Sequence, residues 1–147
     1  MDDFLRWVLV GGVAGWAFLS FIGGLLTPVG GRWSDGERRI DLKQFGPFLR
    51  GECLREGGKE IYTGTANFGR VRLSRRDEGK AHLMALGFAE EVTPLIEGEL
   101  MGRLDLKLQG KRLTGTFEGR RIASGRNPAR IISVHRVKKT QRVWTRS

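Results

Sequence analysis

Cysteine is almost missing from this chain: Cys53 is the one thiol in 147 residues, which excludes an intramolecular disulfide framework. Histidine is nearly as scarce, with only His82 and His135, and the two lie too far apart to form a paired zinc motif. No phosphate-cradling glycine loop and no dinucleotide fingerprint occurs. Proline is low, at 4 residues, beside 22 glycines, a balance that predicts many tight turns rather than disorder or a collagen repeat. Acid is missing from one whole region. Residues 119–147 carry nine Lys and Arg and no Asp or Glu, whereas residues 1–118 hold 17 basic and 16 acidic side chains. Almost the whole formal charge of +10 therefore sits at the carboxyl end.

These absences leave few groups for chemistry. Arg50 and Arg55 flank Cys53 and lower a thiol's pKa, but no histidine lies near it in sequence, so Cys53 reads as a small buried side chain. Glu97 and Glu99 share parity and can in principle pair as acid and base; they read instead as a polar strand face. His82 falls in an alternating run with Met84, Leu86 and Phe88, as a hydrogen-bonded histidine on a strand face would, and His135 reads as solvated. The expectation is a non-enzymatic protein with no catalytic residue, cofactor or metal.

What the chain does have is a long apolar run. Trp7–Leu26 contains no charge, and a hydrocarbon core about 30 Å thick needs roughly 20 helical residues. Pro28, Gly30 and Gly31 stop such a helix, and Trp7 and Trp33 flank it where indoles prefer the lipid interface. A cleaved signal peptide is the rival reading. It normally has a basic start, a shorter apolar run and a small-residue cleavage site, whereas this chain opens Met1-Asp2-Asp3. An uncleaved single-pass anchor is therefore expected over residues 1–31. Arg6 precedes the run, while Arg32, Arg38, Arg39 and Lys43 follow it, which leans the soluble domain to the cytoplasmic face of a cell (inner) membrane, the other face staying open. Gly11 and Gly15 stack on one side of the helix, and Ser20 and Gly24 on nearly the opposite side. The plainer reading of these small residues is the ordinary glycine content of membrane helices; the sharper one is that they admit neighbouring helices, in a homo-oligomer or a larger complex.

Beyond Arg38 the period is two. Ile40–Lys43, Arg70–Leu73, Arg103–Leu108, Leu113–Phe117 and Ile132–His135 alternate, with Gly-Lys turns at Gly57-Gly58-Lys59, Glu78-Gly79-Lys80 and Gln109-Gly110-Lys111. Thr63-Gly64-Thr65 is echoed by Thr114-Gly115-Thr116. Such spacing predicts a mainly β fold: an antiparallel meander closed as a small barrel or stacked as a sandwich over residues 32–129. Ala89–Pro94 interrupts it as a helical turn or a loop. Residues 130–147 are expected to form a basic strand and tail.

The arm formed by Arg120, Arg121, Arg126, Arg130, Arg136, Lys138, Lys139, Arg142 and Arg146, with Trp144 near its end, is the partner-contact candidate. An acidic protein surface or anionic lipid suits it. Nucleic acid is disfavoured because stacking platforms use several aromatics and the arm has one. The plainer reading is a solvated edge strand whose charges block aggregation, followed by a frayed tail. The functional expectation is a membrane-anchored β domain serving as a binding or assembly subunit, with Trp7, Gly11, Gly15, Ser20, Gly24 and Leu26 as its anchor residues. The alternative is an exported lipid- or small-molecule-carrying barrel whose signal peptide is removed.

Overall fold

The computed structural model describes residues 2–147, so Met1, the first residue assigned to the anchor, lies outside the described residues. A 24-residue helix, α1 (Asp2–Leu25), is followed by β1 (Gly31–Ser34), β2 (Arg39–Phe45), β3 (Phe48–Arg55), β4 (Gly58–Asn67) and β5 (Arg70–Glu78). Two short helices, α2 (Lys80–Ala85) and α3 (Thr93–Ile96), with a 3-10 turn at Glu90–Val92 between them, interrupt the strands. The chain then completes β6 (Leu100–Gln109), β7 (Arg112–Arg126), β8 (Ala129–Arg136) and β9 (Thr140–Arg146).

Every strand pairing is antiparallel, and the sheet closes. Successive hairpins run from β1 to β7, β9 lies between β7 and β1, and the ring is an eight-stranded barrel with β8 outside it. The choice left open between barrel and sandwich is thus decided for the barrel. Alternation fills the interior: Trp33, Ile40, Leu42, Leu49, Tyr62, Val71, Leu73, Leu104, Leu106, Leu113 and Trp144 are buried in one cluster. The cavity between Tyr62, Arg75, Leu104 and Trp144 measures about 10 Å³, at the limit for a single water.

Two of the echoed residues have one structural purpose. A Cβ on Gly64 would lie 1.8 Å from the Arg72 carbonyl oxygen, and one on Gly115 would lie 2.0 Å from that of Asp105. Each glycine therefore lets a strand coil tightly against its neighbour, as a small barrel requires. The repeated Thr-Gly-Thr marks two such bends.

The carboxyl-terminal strand differs from the tail expected there. β9 pairs with β7 from Arg112↔Thr145 to Phe117↔Thr140 and with β1 at Trp33↔Arg146, so it is the strand that closes the ring. Trp144 is 2% exposed and packs edge-to-face on Tyr62 at 5.5 Å, so its ring lies inside the barrel and not on the surface of a basic arm. Arg146 is also structural: its guanidinium lies 4.9 Å from the Trp33 ring and donates to the Pro28 carbonyl at 2.6 Å. His82 sits on α2 rather than on a strand, and Glu97 and Glu99 follow α3 rather than forming a strand face. The interruption at Ala89–Pro94 is a 3-10 turn leading into α3.

α1 meets the barrel through polar ties centred on Gln44. The Gln44 side-chain amide donates to the carbonyls of Gly24, Thr27 and Gly46 and accepts from the Val29 and Gly30 amides. Thr27 adds a second tie, donating to the Gly23 carbonyl and accepting from the Gly69 amide at 2.7 Å. Gly24 finds its close neighbour here, since a Cβ on it would lie 2.5 Å from the Gly46–Pro47 backbone. Gly11 and Gly15 have nothing within 4 Å of the equivalent position. Arg6–Leu25 is long and apolar enough to cross a membrane and is 11% buried. Ser20 is half-buried, whereas Trp7, at 76% exposure, and Leu26, at 67%, are open.

Candidate functional site

The strand directions place α1 at one pole of the barrel and α2, α3 and the β7–β8 hairpin at the other. At this distal pole the inward residues change from apolar to charged. Glu60 faces Asp77 and Tyr62 faces Arg75 across β4 and β5. Two carboxylates opposite one another repel, but Arg75 joins them. Its guanidinium makes a bidentate pair with Asp77 at 2.8 and 2.7 Å and approaches Glu60 at 3.1 Å. Tyr62 donates to Glu60 at 2.6 Å, and His82, reaching in from α2, meets Asp77 at 3.1 Å. Arg55 and Arg38 stand 3.6 and 3.8 Å from Glu60.

Burial and the Glu60 charge push the Tyr62 phenol well above its usual range, so it remains a proton donor. Burial acts against the Arg75 charge, but the hydrogen bonds and charge of Asp77, aided by Glu60, outweigh it and raise its pKa. Oxygens and a nitrogen of Glu60, Asp77 and His82 lie within 4.8 Å of one another, as metal ligands would. The cationic position among them is already filled by Arg75, whose guanidinium neutralises both acids. The cluster fits a salt-bridged plug better than a metal centre.

Beside the plug lies a groove of about 490 Å³. Its floor is apolar: Leu86, Phe88, Met101, Phe117, Ile122 and Val137. Arg75, Arg120, Arg121, Lys138 and Arg142 line it as well, and no acid does. Arg142 stacks 5.5 Å from the Phe117 ring. The hairpin that forms one wall does not hang free, because Ile122 and Ala129 pack with Leu83, Val92, Ile96 and Phe88 in a second apolar cluster. A second depression, of about 450 Å³, contains Arg72, Arg103, Arg136 and Lys139, but Asp105 and Glu118 also line it, and Glu118 stands 3.6 Å from Arg136. The first groove alone pairs cations with an acid-free lining.

The proposed arm is thereby divided. Arg120, Arg121, Lys138 and Arg142 meet at the groove, Arg136 and Lys139 line the balanced depression, and Arg126 and Arg130 are exposed at the hairpin end. Trp144 and Arg146 belong to the barrel. Sequence reasoning missed Arg75 and the apolar floor, because Leu86, Phe88, Met101 and Phe117 come from three separate elements that only the closed sheet brings together. His135 is exposed on β8, and Cys53 is buried with its thiol pKa raised, first by burial and then by the Glu60 charge. Comparison with family models, with curated proteins and with solved structures gives no match.

Proposed function

We propose that this protein is a single-pass membrane protein whose barrel is a non-catalytic assembly module, and that the distal groove receives an acidic, partly apolar segment of a protein partner. The observation that carries this reading is a groove with an apolar floor, no acid and four cations beside the already paired Arg75, namely Arg120, Arg121, Lys138 and Arg142, built on elements held by their own core. A protein partner is favoured over anionic lipid by position. The groove lies toward the pole opposite α1, with its cations Arg120 and Arg121 eight and nine residues along β7 from Arg112, the end that a membrane-spanning helix would hold near lipid. At about 3.3 Å per residue and a barrel tilt near 40°, that separation is roughly 20 Å, well beyond the Debye length of about 8 Å.

The anchor reading rests on the length, apolarity and exposure of Arg6–Leu25. The cations after the helix support a cytoplasmic domain in an inner membrane. A non-catalytic role is supported by the engagement of the reactive groups: His82 and Asp77 bind each other, Cys53 is buried, and Glu97 accepts from the Gly79 amide. The carrier alternative asks for room inside the barrel, where large side chains interlock.

The test uses the full chain in lipid nanodiscs and a fluorescent peptide of alternating glutamate and leucine. Binding that weakens with salt, and is lost in Arg120→Ser/Arg121→Ser/Lys138→Ser, is the expected result. Equal binding by that variant refutes the groove. A reporter fused after Ser147 reads the side of the membrane.

A further inference from the structure

The pole at which α1 meets the barrel carries three large apolar side chains that protein leaves open: Phe45 is 79% exposed, Phe48 62% and Phe68 65%. Phe45 and Phe48 are a cross-strand pair flanking the Gly46-Pro47 turn of β2–β3. Phe68 leads the two-residue turn between β4 and β5, where its φ is +46° and that of Gly69 is +80°. A turn with both central residues at positive φ favours Asn or Gly, and a bulky side chain there is unfavourable. One edge of the Phe68 ring lies against Gly23 of α1, yet 65% of the residue stays exposed, so packing on the helix accounts for only part of an aromatic side chain at such a tip.

These turns are continuous with the helix. The Phe21 ring covers Gly46, the Phe68 amide donates to the Gly23 carbonyl, and Leu25 and Leu26 continue the apolar surface at 62% and 67% exposure. The β6–β7 turn at the same pole brings exposed Lys107, Lys111 and Arg112, while Asp105 nearby is held by Arg70 at 2.6 Å. Aromatic tips ringed by cations, on a body clamped to an apolar helix, match the layered chemistry of a membrane interface, with acyl chains beneath phosphates.

We propose that this pole of the barrel seats on the bilayer itself, with Phe45, Phe48 and Phe68 inserted at headgroup depth and Lys107, Lys111 and Arg112 against lipid phosphates. The inference rests on α1 spanning the membrane, and it adds that the barrel is a second membrane contact with a fixed orientation. The soluble body then does not swing on a tether. The Gln44 clamp and the three tips hold the distal groove facing away from lipid.

The full chain is reconstituted in vesicles of phosphatidylcholine and phosphatidylglycerol with the native thiol removed as Cys53→Ser. Single thiols are introduced as Phe45→Cys, Phe68→Cys or Leu54→Cys, the last an 81% exposed position at the opposite pole. Each carries an environment-sensitive dye, and quenching by spin-labelled lipid is measured. Strong quenching and a blue shift at positions 45 and 68, with neither at 54, is the expected result. If the dyes at 45 and 68 stay as unquenched as the dye at 54 while the chain resists carbonate extraction, the seating is refuted and the anchor stands. Release by carbonate refutes the anchor and the seating together. Vesicles of phosphatidylcholine alone should weaken the quenching; unchanged quenching refutes the role given to the cations.

Discussion

Replacing Tyr62 with phenylalanine isolates one hydrogen bond in the distal plug. The ring keeps its edge-to-face contact with Trp144, and no cavity of consequence opens. What is lost is the hydroxyl that donates to Glu60 at 2.6 Å inside the barrel. Glu60 is 0% exposed, and its other carboxylate oxygen is held by the charges of Arg75, Arg55 and Arg38 without a hydrogen bond, so no neutral donor stands by to replace the hydroxyl. Hydrogen bonds to charged groups contribute about 1.5–3 kcal/mol, and we expect a loss of about 2 kcal/mol. For a domain of this size that is a fall in Tm of about 8 °C. The full chain in detergent, unfolded thermally and followed by tryptophan fluorescence, measures it. A pH series makes the test stricter. The folded phenol has its pKa raised above the unfolded value near 10, so its stabilising contribution is complete below about pH 10 and is lost as pH rises through the folded pKa. The gap between wild type and Tyr62→Phe should therefore shrink above pH 10. Because Tyr62 is the one tyrosine, tyrosinate absorbance reports it alone and should stay silent until the barrel unfolds. Ionisation near pH 10 in the folded chain, or a stability difference under about 0.5 kcal/mol, refutes the buried donor.

Truncation after Lys139 should abolish cooperative unfolding rather than trim a tail, because it opens the barrel between β7 and β1; a truncated chain with native near-UV dichroism contradicts the closed ring. Gly115→Ala should cost about 1–3 kcal/mol through the clash with the Asp105 carbonyl, measured by urea midpoint, while Gly12→Ala, with nothing within 4 Å, should cost nothing. Cys53 should resist alkylation at neutral pH and react on adding urea, since its raised thiol pKa keeps the proton; its contribution to stability is full below the unfolded thiol pKa near 8.5 and is lost as pH rises through the folded one. Labelling at the same rate in folded and unfolded chains would contradict that burial.

Much of the architecture is legible because two periods dominate the chain. A charge-free run the length of a bilayer core reads as one helix, and strict alternation in β2, β5 and β6 reads as half-buried strands. The Gly-Lys turns at Gly57–Lys59 and Gln109–Lys111 join β3 to β4 and β6 to β7, as their spacing implies. Alternation gives parity, however, and not which parity faces inward once polar residues occupy both faces. On β4, Glu60 and Tyr62 share the inward face with Ala66; on β5, Arg75 and Asp77 share it with Val71 and Leu73. Polar residues normally mark the solvent side, so the plug was hidden by the rule that revealed the strands.

β9 shows the same effect at its strongest. Its inward face is Arg142, Trp144 and Arg146, one apolar side chain between two cations, while Val143 points outward at 50% exposure. By hydropathy this reads as a solvated tail. The arginines succeed in these places because their stems are apolar and their guanidinium planes cover aromatic faces, Phe117 under Arg142 and Trp33 under Arg146. At the helix end Arg146 also closes a carbonyl of the linker after α1, and at the far end Arg142 turns one side into the acid-free groove. The strand that completes the barrel therefore carries charge to both poles. A change that removes charge from Arg142 should weaken a groove ligand with the fold intact, whereas removing it from Arg146 should loosen the joint between helix and barrel and leave the groove unaltered; the reverse pattern, read by peptide binding and by Tm on the two single alanine variants, would show that the two ends had been assigned the wrong way round.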